Sequence, residues 1–131
     1  MGSRHRPISA TELVVLKVLW ENGPRTAREI QTFLRRQGRR WAYTTVLTLL
    51  QRLEAKGHAA RDTRAVAHVF RPSVSREKLI RRRLGELAHQ VCGGEATPLV
   101  LALVQGHRFS PEEVEEFRRL LDRLAKANDE R

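Results

Sequence analysis

Residues 41–57 constrain the fold more than any other stretch. They read Trp41-Ala42-Tyr43-Thr44-Thr45-Val46-Leu47-Thr48-Leu49-Leu50-Gln51-Arg52-Leu53-Glu54-Ala55-Lys56-Gly57. Val46, Leu50 and Leu53 recur at helical spacing, with Leu47 and Leu49 beside them, which makes one buried stripe on an amphipathic helix. The opposite face carries Thr44, Thr45, Thr48, Gln51 and Arg52, with no acidic residue before Glu54. A solvated face ordinarily mixes both signs of charge. Hydroxyls, an amide and a guanidinium are instead the groups that meet base edges and phosphates. Arg39 and Arg40 lead into the stretch, and Gly57 is placed to close it as a left-handed cap. The stretch therefore predicts a helix that reads a nucleic-acid groove. The alternative is an ordinary half-buried helix, and the neighbouring sequence has to decide.

The preceding chain supplies two short helices. Ser9 and Glu12 have capping-box spacing, and Leu13, Leu16, Leu19 and Trp20 follow as a buried face. Asn22-Gly23-Pro24 stops that helix. Thr26 and Glu29 form a second box, and Ala27, Ile30, Phe33 and Leu34 supply the core side up to Gly38. Helix, short connection and groove-reading helix together make a helix-turn-helix. Downstream, His58–Arg61 and Val66–Pro72 read as two strands joined by Asp62–Ala65, with Pro72 as terminator. The outline is a winged helix with a small two-stranded wing. Arg61 and Arg64 sit where a wing meets phosphate, or else are solvated loop charges.

Charge separates the two halves. The 131 residues carry a formal net charge of +10, with a sequence pI near 11.3. Residues 1–72 hold 14 Lys and Arg against 5 Asp and Glu, a net of +9. Residues 73–131 hold 11 against 10, a net of +1. The basic half points to a polyanionic partner, and the balanced half to another task. The expected organisation is a flexible N-terminus over 1–7, a winged-helix domain over 8–72 and a helical domain over 73–131.

The second half is helical throughout. Ser75 is an N-cap, with Val74 and Leu79 as its hydrophobic staple. Ile80, Leu84, Leu87 and Val91 continue the stripe until Gly93-Gly94. Thr97-Pro98 reads as N-cap and first helical residue. Leu99–Val104 is apolar at every position, which predicts a helix buried all round. Ser110-Pro111-Glu112-Glu113 is a further capping box. Val114, Phe117, Leu121 and Leu124 then form a seam with Leu120 beside it, acidic residues early and basic residues late, as the helix dipole favours. Three short helices are too thin a layer to cover so much apolar surface. The economical cover is a second copy of the chain, so Ile80, Leu84, Leu87, Leu99, Leu103, Val114, Phe117, Leu121 and Leu124 are the expected dimerisation residues. The alternative packs this half back on the winged helix of the same chain.

Catalytic chemistry finds no constellation. His5, His58, His68, His89 and His107 form no His-x-x-x-His pair, and Cys92 is the one cysteine. The expectation is therefore no enzyme, no metal site and no cofactor. Cys92, on an apolar stripe, is more simply a packing residue than a redox sensor. A lone cysteine precludes an intrachain disulfide and suits a reducing cytoplasm. The N-terminus lacks an apolar signal region. No apolar run approaches the roughly 20 residues that span a bilayer, so membrane insertion is not expected.

Taken together, these segments resemble the BlaI/MecI/CopY family, the penicillinase repressor-type bacterial transcriptional regulators. The similarity covers about residues 8–125. It rests on Ser9-Ala10-Thr11-Glu12-Leu13 with Val18-Leu19-Trp20, and on Trp41-Ala42-Tyr43-Thr44-Thr45-Val46 with Leu49-Leu50-Gln51-Arg52-Leu53. Phe70-Arg71-Pro72, Leu99-Val100-Leu101 and Ser110-Pro111-Glu112-Glu113 follow in the family's order. The resemblance implies a homodimer that binds an inverted repeat in double-stranded DNA and blocks transcription, controlling β-lactam resistance or copper homeostasis. The paired Cys-x-Cys motifs of the copper branch are absent, which speaks against direct copper sensing. In the β-lactam branch, a membrane-bound sensor protease partner and cleavage within the short apolar helix are implied. The matching bond here is Ala102–Leu103, which departs from the Asn-Phe of cleaved relatives. Plain core roles for both residues stay open.

On this reading Thr45, Thr48 and Arg52 match the recognition-helix pattern and read bases. Tyr43 and Thr44 position phosphate at the helix N-terminus. Arg39, Arg40, Arg61 and Arg64 add sequence-independent affinity. A helix-cap role for Thr45 is the alternative. The competing reading of the whole chain is a winged helix that binds nucleic acid without sequence selectivity.

Overall fold

The computed structural model describes residues 6–130. Helix α1 (Ala10–Asn22) begins at the predicted box: Ser9 Oγ accepts from the Glu12 backbone N–H, and Glu12 reaches back to the Ser9 N–H. Its buried residues are Val15, Leu16, Val18 and Leu19 together with Glu12, whereas Leu13 and Trp20 lie at the margin of the core. The face is wider than the predicted stripe because α1 packs on several sides, against two helices and a strand. Arg25–Thr26 forms a short strand β1, and α2 (Ala27–Arg36) starts from a second complete capping box at Thr26 and Glu29. Helix α3 (Tyr43–Ala55) follows.

Two glycines close α2 and α3 in the same way. At Gly57, φ is +80°, Gly57 N donates to Glu54 O at 3.0 Å and His58 N donates to Leu53 O at 2.8 Å. At Gly38, φ is +86°, with Gly38 N to Arg35 O and Arg39 N to Leu34 O. Both are Schellman closures, which satisfy the last carbonyls and need a residue free to take positive φ.

Strands β2 (Ala59–Asp62) and β3 (Val69–Pro72) form the wing. Their antiparallel register pairs Asp62 with Val69, so residues 63–68 become the loop and the second strand starts later than Val66. The sheet has three strands in the order β1-β3-β2, not two. The third is the extended approach to the α2 N-cap, where Arg25 pairs with Phe70. Phe70 lies at the centre of the core with Leu16, Leu19, Ile30, Leu34, Val46, Leu50 and Leu53.

Helix α4 (Arg76–Cys92) starts at Ser75, whose Oγ accepts from Lys78 N at 3.0 Å. Its staple residues Val74 and Leu79 are buried in the first core, and Trp20 Nε1 donates to Val74 O at 2.8 Å. The first compact unit consequently extends to Arg82, inside α4, and not to Pro72. Of the N-terminal segment expected to be flexible, residues 1–5 lie outside the described residues. Arg6 and Pro7 are tied down: Arg6 donates to Ala55 O at 3.3 Å, and Pro7 O accepts from Lys56 Nζ at 2.9 Å.

The second unit, from Arg83 onward, holds the rest of α4, then α5 (Thr97–Gly106) and α6 (Pro111–Asp129). Ser110 and Glu113 complete the predicted box at α6. At α5 the predicted cap is displaced. The Ala96 carbonyl accepts from Leu99 and Val100, so Thr97 is already the first helical residue and its hydroxyl caps nothing. Neither α5 nor α6 buries a residue within the single chain, so Leu99–Val104, expected to be buried all round, has no cover from its own chain. The helix is apolar along its length, and this one chain lacks the surface to cover it. No single helix among the described residues is long and apolar enough to cross a membrane.

Candidate nucleic-acid interface

Helix α3 is built to present one face. Val46, Leu49, Leu50 and Leu53 are buried, whereas Thr44, Thr45, Thr48, Gln51 and Arg52 are exposed. At about 100° per residue, those five exposed side chains share one flank of the helix. The structure thus brings Thr44, Thr45, Thr48 and Arg52 together, with Tyr43 half-buried at the helix start and Arg39 and Arg40 exposed in the approach.

The entrance to α3 is held from α2. Gln31 Nε2 donates to the Trp41 carbonyl at 3.1 Å. The Arg28 guanidinium lies over the Tyr43 ring, 4.7 Å from its centroid, and Arg39 lies over Trp41 at 5.6 Å. Trp41 packs against the core, as an anchor does. Unlike α1, α2 and α6, helix α3 has no side-chain cap: Ala42 occupies the N-cap and no acid lies in the first turn. Its first N–H groups and the positive end of its dipole are left for an external acceptor.

The two wing arginines differ. Arg61 is engaged by Glu54 of α3 through Nε at 2.9 Å and Nη2 at 2.6 Å, and its guanidinium lies over Phe70 at 4.8 Å. The Glu54 hydrogen bond, outweighing desolvation, holds the Arg61 pKa above its ordinary value. This side chain ties the wing to α3. Arg64 is exposed and pairs with Asp62 of its own loop at 2.7 Å. That pairing holds the Asp62 carboxyl well below the usual carboxylate range.

Sequence reasoning missed Arg28, Gln31 and the Glu54–Arg61 pair. Each depends on a contact between elements that helical periodicity does not encode. The face of Tyr43 as a cation platform becomes visible only once α2 lies beside the start of α3.

The residues expected to form the second surface are largely open in the single chain. Ile80, Leu84, Leu87, Leu103, Val114, Phe117, Leu121 and Leu124 are all exposed, Leu121 at 61%, and Leu99 is half-buried. Within this unit Phe109 meets Phe117 edge-on at 5.0 Å. Ala102 and Leu103 are exposed on α5. No group of three or more His, Cys, Asp or Glu side chains able to hold a metal occurs among the described residues.

Residues 8–123 match the sequence pattern of the family described as penicillinase repressor. The chain is 25% identical over 115 residues to the penicillinase repressor of Bacillus licheniformis, covering 88% of this chain and 89% of that protein. Among solved structures it is similar to a transcriptional regulator from Thermotoga maritima, with 18% identity, a TM-score of 0.50, and coverage of 92% of this chain and 78% of the other. It is also similar to a MarR family protein from Bacillus stearothermophilus, with 24% identity, a TM-score of 0.48, and coverage of 95% and 77%. With the family pattern spanning both the winged helix and the helical region, the chain belongs to the penicillinase repressor family of DNA-binding transcriptional repressors.

Proposed function

We propose that the chain represses transcription as a homodimer bound to an inverted-repeat operator in double-stranded DNA. The observation that carries the reading is the exposed face of α3, free of acidic residues and starting at an uncapped N-terminus. Thr45, Thr48 and Arg52 read base edges. Tyr43 and Thr44 meet phosphate at the helix N-terminus. Arg39, Arg40 and Arg64 add counterion-release affinity. Arg61 acts mainly by holding the wing on α3, since Glu54 already occupies its guanidinium.

Dimerisation is the task proposed for residues 73–131. The exposed apolar faces of α4, α5 and α6 gain cover from a second copy. Two linked recognition helices then hold two half-sites with an avidity that neither has alone. Repression, in the cytoplasm where the operator lies, ends when a membrane-bound sensor protease triggers cleavage at Ala102–Leu103. That cut removes Leu103, Val104 and the α6 seam from the winged helix. The reading is tested by selecting bound fragments from the source genome and comparing their affinity with that of random duplex. A recurring inverted repeat, bound far more tightly, is the expected result. Equal affinity for all duplexes favours a non-selective nucleic-acid binder instead.

A further inference from the structure

A cleft of about 340 Å³ opens between the first turn of α2, the start of α3 and the wing. Its floor is apolar, with Leu47 and the fully packed Phe70. Its rim carries Arg28, Tyr43, His68 and Val66. Three features of that rim have no role in the core. Arg28 is exposed, yet its guanidinium is held over the Tyr43 ring. Cation–π stacking fixes the position of the planar fork while leaving its edge donors available. No carboxylate pairs with Arg28 among the described residues.

His68 is held in one tautomer. Its Nδ1 lies 3.1 Å from Arg61 Nη1. A guanidinium only donates, so Nδ1 accepts and the ring proton sits on Nε2, which becomes a donor. Arg61 is in turn fixed by Glu54. The chain Glu54–Arg61–His68 thus orients a neutral donor on the wing. Val66 is fully exposed on the same rim, an apolar side chain with nothing of its own chain to cover it.

Donors for an anion beside an apolar wall suit a sugar-phosphate unit. The cleft adjoins the uncapped N-terminus of α3, whose first residue, Tyr43, lines it. We infer that this cleft seats one phosphodiester of the DNA backbone, with Arg28 and His68 donating to its oxygens and Val66 packing on the adjoining deoxyribose. The inference rests on the DNA-binding reading above and adds residues and a location to it. Because the seat meets backbone alone, it adds affinity without choosing sequence.

The test uses the full chain and the selected operator duplex, with methylphosphonates placed in turn at each symmetry-related pair of phosphates, one per half-site. Arg28→Ala is expected to weaken operator and random duplex alike, by roughly tenfold, and to lower the salt slope of the dimer by about two, one for each protomer. One neutralised phosphate at the edge of each half-site should weaken the wild type equally and add nothing to Arg28→Ala. The same phosphate should couple to His68→Ala. Arg28→Lys should keep the salt slope but lose part of the affinity, because the charge stays and the stacked fork does not. Thermal melts of each variant should match the wild type, since Arg28 and His68 are exposed. Unchanged binding by Arg28→Ala, or no phosphate whose loss is non-additive with it, overturns the seat. Failure of the repressor reading is seen separately, as equal wild-type affinity for operator and random duplex. In that case the phosphate coupling still decides the seat.

Discussion

Lys56 Nζ lies 2.7 Å from Glu12 Oε1, joining the C-terminal end of α3 to the first turn of α1. The Glu12 side chain is almost wholly buried, while that of Lys56 keeps some contact with water. Burial alone raises the carboxyl's pKa. The hydrogen bonds from Lys56 and the Ser9 backbone outweigh burial and bring it below the ordinary 4.5. The two partners are therefore unequal. Removing Lys56 strands a buried carboxylate, whereas removing the charge of Glu12 leaves an ammonium that can turn to solvent.

Lys56→Met is expected to destabilise the fold by about 3 kcal/mol and Glu12→Gln by appreciably less, the range for breaking one side of a buried pair. Urea unfolding at pH 7 gives both values. The sign of the pH effect follows from the depressed carboxyl. Its stabilisation is complete above pH 4.5 and is lost as pH falls through the lower folded value. Glu12→Gln should remove Glu12's share of the acid limb and leave the shallower part that the depressed Asp62 and Glu29 carboxyls contribute. An equal cost for both variants, or an unchanged acid limb, contradicts the asymmetry.

His58 predicts a separate limb at higher pH. Its side chain is 2% exposed, Nε2 lies 3.3 Å from the Arg6 carbonyl, and Nδ1 has no hydrogen-bond partner within the described structure. Burial pushes its pKa below 6.5. The Arg6 carbonyl opposes that shift, Arg82 and Lys56 reinforce it, and Glu12 offsets part of it. The folded state thus holds the neutral ring. The unfolded chain takes up the proton first, so stability is complete above about pH 6.5 and declines below it. His58→Leu should abolish the decline between pH 6.5 and 5 and raise stability at pH 7.5 by about 1 kcal/mol, because the orphaned Nδ1 is gone. Denaturation midpoints across that range provide the check, and a wild-type profile flat from pH 7.5 to 5 counts against it.

On DNA, the exposed flank of α3 should separate from its basic approach. Thr48→Ala and Arg52→Ala are expected to cost about 1–3 kcal/mol on the operator and much less on random duplex. Arg39→Ala should weaken both alike and flatten the salt dependence. Titrations of both duplexes at several salt concentrations distinguish the groups. Equal losses on both duplexes from all three variants remove the base-reading role of the flank.

Local signals marked the starts and ends of helices in both units. Capping boxes at Ser9, Thr26 and Ser110 are each encoded by a pair of residues three apart, and the structure builds all three. Glycines after α2 and α3 announced their closures. The third strand escaped because Arg25–Thr26 is only two residues long and also serves as a helix approach. Buried polar groups escaped too: Glu12 reads as a cap, and nothing local says that Lys56 comes to lie beside it. At the interface, the exposed flank of α3 follows from periodicity, whereas Arg28 over Tyr43 depends on how two helices pack. The apolar pattern of α5 was legible, but a sequence cannot say which chain supplies the cover.

Leu121 and Leu124 lie on one seam of α6 and are exposed by 61% and 53%, and no residue of α5 or α6 is buried. Leaving this much contiguous apolar surface in water is costly and invites association. If a second copy covers the seam, Leu121→Glu places a carboxylate in the contact, where it loses hydration and gains no partner. Several kcal/mol of dimer stability should be lost, while the first unit, whose core does not include α6, should keep its own fold. Sedimentation at micromolar concentration should show a wild-type dimer and a monomeric variant. On DNA, the variant should retain single half-site binding and lose the gain from two half-sites roughly 34 Å apart. A monomeric wild type at that concentration, or a variant that still binds the full operator like the wild type, would remove α6 from the dimer contact.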